Sequence, residues 1–91
     1  MIKYLIKDTS TGKPNNRNFP GKVTIWYMGK VTEQPWSYTE NPDRVHHIAS
    51  AYGYSRKCDA VRGMKSIQRV NAYEEENGYW THSLEIIEVE V

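Results

Sequence analysis

Ile2, Tyr4 and Ile6 alternate with Lys3, Leu5 and Lys7, a period of two that predicts a half-buried strand at the start of the chain. Between Asp8 and Gly21 the apolar positions stop and Gly12, Pro14, Asn15, Asn16, Asn18, Pro20 and Gly21 take over, so a long connection rich in turn chemistry is expected. The alternation returns from Lys22 to Met28. Val23, Ile25 and Tyr27 share one face and Thr24, Trp26 and Met28 the other, which predicts a central strand or one packed on both sides. Asn41-Pro42-Asp43 supplies an N-cap, a proline at the first helical position and a first-turn acid. Val45, Ile48, Ala49 and Tyr52 follow at helical spacing, predicting a short helix over 42–52. Ser55 then caps a longer helix over about 56–75, whose stripe is Ala60, Met64 and Ile67 flanked by Val61 and Val70. Gly63 within it points to close approach by a strand, and Asn77-Gly78 ends it.

Tyr79 to Val91 forms the last strand. Trp80, His82, Leu84 and Ile86 share one face, Ile87, Val89 and Val91 the other. This change of phase predicts a β-bulge or a strand buried differently at its two ends. The order β-β-α-α-β predicts an α+β two-layer domain, with an antiparallel or mixed sheet under one long and one short helix. No repeat or linker divides residues 1–91, so one domain is expected.

Composition narrows the function. At 38% hydrophobic and 25% charged the chain has a globular profile. No apolar run approaches the ~18 residues of a membrane span, and the N-terminus does not read as a secretory signal. The single cysteine excludes an internal disulfide and fits a reducing, cytoplasmic setting. A chain of this size buries only about 60–65% of its unfolded surface, which leaves little core to give up to a deep enzymatic cleft.

The net charge of +1 conceals segregation: residues 1–30 carry +5, 31–54 carry −2, 55–70 carry +4, and 71–91 hold six glutamates and no Lys or Arg. A basic first strand beside an acidic last strand would account for much of this by cross-strand pairing. A basic face kept for a polyanion or an acidic partner is the alternative.

Catalytic and metal chemistry find little support. Phe19-Pro20-Gly21-Lys22-Val23-Thr24 lacks the first glycine and the Ser/Thr of a phosphate loop, and its lysine precedes a strand. His46, His47, His82 and Cys58 show no chelating spacing, so no metal is expected and no cofactor is implied. The adjacent His46 and His47 read as solvated, and His82 as a partly buried strand residue. Cys58 lies in a first helical turn, where thiols are activated, but it has no identifiable base and faces solvent beside Arg62. The glutamate runs read as solvated faces. No catalytic residue is assigned, and an enzyme is not expected.

Two constellations suit binding. Arg62, Lys65 and Arg69 fall within about 60° of one another on the long helix, a stripe able to meet phosphates or carboxylates. Trp36 and Tyr38, after Pro35, are amphipathic rings of the kind that anchor protein interfaces, unless they fold back over the sheet.

The run Trp80-Thr81-His82-Ser83-Leu84-Glu85-Ile86-Ile87-Glu88-Val89, after Ala51-Tyr52-Gly53-Tyr54-Ser55 and a basic helix, resembles small bacteriophage and prophage accessory proteins, the population that includes anti-CRISPR inhibitors. The resemblance covers about residues 49–91 and carries no family functional residues. It implies a non-enzymatic protein in the host cytoplasm that binds a host protein, or a nucleoprotein complex such as a CRISPR defence nuclease. A small nucleic-acid-binding protein using the same basic helix face is the other expectation. Six C-terminal acids oppose indiscriminate phosphate binding, and the near-neutral total opposes an overall DNA mimic.

Overall fold

The computed structural model describes residues 1–29 and 44–91. Among these residues four strands form one antiparallel sheet: β1 (Ile2–Gly12), β2 (Val23–Met28), β3 (Arg44–Val45) and β4 (Trp80–Glu90), in the order β3-β2-β1-β4. One α-helix among the described residues, α1 (Lys57–Asn77), packs on one face of the sheet, chiefly over β4 and β1. The α+β class stands, and the sheet is antiparallel.

The helix expected over 42–52 is not found in its described part. Arg44 and Val45 pair with Met28 and Tyr27 as β3, and only a 3-10 turn, Ile48–Ser50, follows. Long-range pairing outweighs the local helix signals here: extended backbone at Arg44 lets its side chain reach Asp8 at the centre of the sheet. The chain then returns to the sheet. Tyr52 donates its N–H to the Met28 carbonyl, and Tyr54 exchanges both backbone bonds with Tyr4, beside the part of β1 that β2 leaves open.

β1 runs five residues past the expected strand, through Asp8-Thr9-Ser10-Thr11-Gly12. β4 pairs with it along its whole length, from Ile2↔Glu90 to Gly12↔Trp80. Cross-strand charge pairing is present: Lys7 lies opposite Glu85, with Nζ 3.3 Å from Oε1, and the N-terminal amine meets Glu90 at 2.9 Å. The register is continuous through Ile86 and Ile87, so of the two expectations the bulge is absent and the strand is buried differently at its two ends, Trp80 to Ile86 on the helix side and Ile87 and Val89 on the other. The phase changes because β4 is partly buried on both faces: Ile86 lies opposite Ile6 and Ile87 opposite Leu5. On the face away from α1, Leu5 and Val89 join Ile48, Ala49 and Ala51 around an apolar hollow of about 390 Å³.

Ile6, Met28 and Ile67 make the core, with Tyr54, Met64 and Leu84 packed against them. The buried side of α1 is Ala60, Gly63, Ser66, Ile67, Val70 and Asn71, a stripe turned toward Gly63 and Val70 from the predicted one, which leaves Met64 half-buried. Gly63 does lie close to the sheet, where a Cβ would come within 3.3 Å of Ile6. Ser55 does not cap α1. The N-cap is Arg56, with no side-chain bond, and Ser55 instead accepts a bond from Lys3 Nζ at 3.0 Å.

Lys13 caps the far end of α1, donating to the carbonyls of Glu75 and, at 3.3 Å, Gly78, where a cation complements the helix dipole. Buried Asn16 ties the connection down, donating to the Tyr79 carbonyl and accepting the Phe19 N–H. Gly12 closes this loop against the backbone, and a Cβ there would run into the Phe19 carbonyl oxygen. Gly12→Ala is therefore expected to cost about 1–3 kcal/mol, seen as a lower urea midpoint at unchanged m.

Candidate functional site

The alternation of β1 sets the site. Tyr4, Ile6, Asp8 and Ser10 project to the helix side, and antiparallel pairing brings Trp26, Leu84 and His82 to the same side. Apolar packing fills the Ile6 end. Beyond it, Asp8 and Ser10 are polar yet 0% and 2% exposed, so their partners must come from the protein.

Those partners come from three other elements. Arg44 on β3 donates Nη1 to Asp8 Oδ2 at 2.8 Å and Nη2 to Asn71 Oδ1 on α1 at 3.1 Å. His82 on β4 places Nδ1 3.0 Å from the same Asp8 oxygen and 2.9 Å from Ser10 Oγ. A carboxylate only accepts, so the His82 proton that serves Asp8 sits on Nδ1. In the neutral ring Nε2 is then an acceptor. Among the described residues, Asp8 Oδ1, Asn71 Nδ2 and His82 Nε2 are buried without a partner.

A serine, a histidine and an aspartate in contact invite comparison with a proton relay, and the geometry does not make one. A relay needs serine and carboxylate on opposite ring nitrogens. Here both meet Nδ1, which cannot hold a proton for Asp8 and also remove one from Ser10.

Next to the cluster lies a cavity of about 270 Å³, lined by Ser10, Trp26, Arg44, Asn71, Glu74, Trp80 and His82. Trp26 packs against the His46 ring with centroids 4.0 Å apart, and Trp80 lies 6.2 Å from Phe19. His46 and His47 are exposed, as expected, and His46 in addition lays its ring on Trp26. Glu74 Oε1 accepts the Tyr79 N–H at 3.3 Å.

Of the residues expected to bind a partner, Arg62, Lys65 and Arg69 are all exposed and share the outer face of α1. The stripe has acidic neighbours. Asp59 lies 3.8 Å from Arg62 and bonds Arg56, whose pKa is raised by that hydrogen bond first and by the carboxylate's charge second. Glu76 continues the same face one turn past Ala72. Trp36 and Tyr38 lie outside the described residues. Cys58 is exposed on the stripe's N-terminal side. Cys58→Ser is expected to leave the melting temperature within about a degree of wild type, since an exposed thiol contributes little packing; differential scanning fluorimetry checks this.

Among the described residues no group of three His, Cys, Asp or Glu is placed to hold a metal ion, and no helix is long and apolar enough to cross a membrane. The buried cluster is what sequence reasoning missed. Asp8 and Ser10 read as part of a turn-rich connection, although their parity with Tyr4 and Ile6 continues the strand. Compared with protein-family models, curated proteins and solved structures, the chain matches none.

Proposed function

We propose that this chain is a non-enzymatic binding protein that modulates a host protein by seating the outer face of α1 on an acidic patch of that partner. Resemblance to short phage accessory proteins supports a host defence nuclease, of the CRISPR kind, as the partner class. The observation that carries the reading is the exposure of Arg62, Lys65 and Arg69 on one helix face.

From Arg62 to Arg69 the stripe spans about 10 Å along the helix axis. Asp59 precedes it and Glu76 follows it. A short basic patch bounded by acids complements a compact cluster of carboxylates better than an extended phosphate backbone, which gains affinity from each further cation along its track. Binding to DNA or RNA through this stripe is the competing reading. The Asp8–His82–Ser10 geometry supports the non-enzymatic part, because it offers no activated nucleophile.

Replacing Arg62, Lys65 and Arg69 together with glutamine keeps helix propensity high and leaves the core untouched. The triple variant is expected to melt close to wild type and to lose at least about tenfold in affinity for the captured partner, much of it in the association rate at low salt. Unchanged partner affinity in a folded variant would refute the assignment of this face.

A further inference from the structure

We infer that the cavity between α1 and the sheet is a binding site for an uncharged nucleobase or nucleoside, recognised by stacking and by a hydrogen-bonding ring edge. This inference is independent of the α1 docking face, which lies on the opposite side of the helix.

Size comes first. The cavity holds about 270 Å³, just under the ~300–1,000 Å³ of sites for drug-sized molecules, which suits one flat ring system. Shape and surface come next. Two indoles, Trp26 and Trp80, contribute to the wall, and every nucleobase has a π-face on which such rings stack. His46 against Trp26 and Phe19 near Trp80 back these rings from outside the lining.

The polar complement is specific. His82 Nε2 lacks a donor and Asn71 Nδ2 lacks an acceptor among the described residues, and both residues line the cavity. His82 belongs to β4 and Asn71 to α1, so the acceptor and the donor stand on the sheet side and the helix side of the cavity, and a base, which carries N–H groups as well as ring nitrogens and carbonyl oxygens, has a partner for each. Both protein atoms are buried, and Arg44 and Asp8 hold the other ends of these side chains, so a bound ring meets them only by turning Asn71 and His82 toward the cavity. Ser10 Oγ stands beside them as a further hydroxyl partner.

Charge excludes the commoner anionic ligands. Among the described residues Arg44 is the cation of the lining, and it is engaged by Asp8 and Asn71. With Arg44 matched by Asp8, Glu74 is the remaining charge of the described lining, and it disfavours a phosphate or carboxylate while accepting an amine or ring N–H. The site therefore favours nucleosides over nucleotides, which distinguishes it from phosphate-reading pockets.

The test is titration of the intact chain with adenosine, guanosine, cytidine and uridine, followed by calorimetry and by the indole and side-chain amide signals of a 1H–15N spectrum. At least one nucleoside is expected to bind saturably at one equivalent, shifting the Trp26, Trp80 and Asn71 side-chain signals. Its 5′-monophosphate and a short single strand carrying the same base are expected to bind at least tenfold more weakly. The favoured base with its edge N–H groups methylated should lose at least tenfold as well. Glu74→Gln can still accept the Tyr79 N–H and should narrow the gap between nucleoside and monophosphate; Trp80→Leu should abolish binding in a chain shown to be folded by circular dichroism. No saturable binding up to millimolar nucleoside would overturn the inference. So would a monophosphate or strand that binds as tightly as the nucleoside, or shifts confined to residues outside the cavity.

Discussion

Arg44→Met is expected to remove about 3–5 kcal/mol of folding stability, because it leaves the Asp8 carboxylate buried without its cation. A 91-residue chain has on the order of 5–14 kcal/mol in total, so the variant should be largely unfolded at modest urea concentrations. The loss exceeds that of a surface ion pair, about 0–1 kcal/mol, since Asp8 is 0% exposed and the Arg44 side chain only 18%. His82 Nδ1 still serves Asp8 in the variant but supplies no full compensating charge in its neutral form. Adding Asp8→Asn to Arg44→Met should recover part of the loss by removing the orphaned charge. A double-mutant cycle read by urea denaturation should show coupling above about 1 kcal/mol, whereas additive effects would mean that the two groups act independently.

Ile67→Asp is expected to unfold the chain. Ile67 is 0% exposed and packs with Ile6 and Met28 in a core of few residues, so the substitution both empties that core and buries an unpaired charge. Met64→Asp should be clearly milder, because Met64 is half-buried at the margin of the same cluster and an aspartate there can turn to solvent. Loss of cooperative melting in Ile67→Asp, with a folded but weakened Met64→Asp, confirms the orientation of α1. The reverse order would show the helix rotated on the sheet.

That orientation illustrates what the sequence could convey. The period of the apolar positions placed α1 and its solvent face, because Arg62, Lys65 and Arg69 define the outside independently of the core. It set the inner stripe too far toward Met64, since Gly63 and Ser66 contribute to the buried face without apolar side chains to announce it. The three longer strands were legible from their alternation. Their limits were not: Asp8 and Ser10 look like loop residues until a partner is supplied from across the fold.

Arg44 and His82 lie 36 and 74 residues from Asp8, and no local pattern connects them. The same separation explains the lost helix at 44–52. Asn41-Pro42-Asp43 is a sound local start signal, but it cannot register that Arg44 reaches Asp8 from an extended strand. His82 was readable as a partly buried strand residue from its place between Trp80 and Leu84. Its unpartnered Nε2, and the cavity beside it, follow only from the packing of α1 over the sheet.

Nuclease sensitivity of the complex tests the central proposal most directly. The chain, immobilised and exposed to bacterial lysate at physiological salt, is expected to retain one protein partner at fixed stoichiometry. It should retain that partner equally after DNase and RNase treatment, while the glutamine variant of Arg62, Lys65 and Arg69 loses it. Disappearance of the partner on nuclease treatment, together with submicromolar binding of the wild-type chain to bare DNA or RNA at the same salt, would contradict the account.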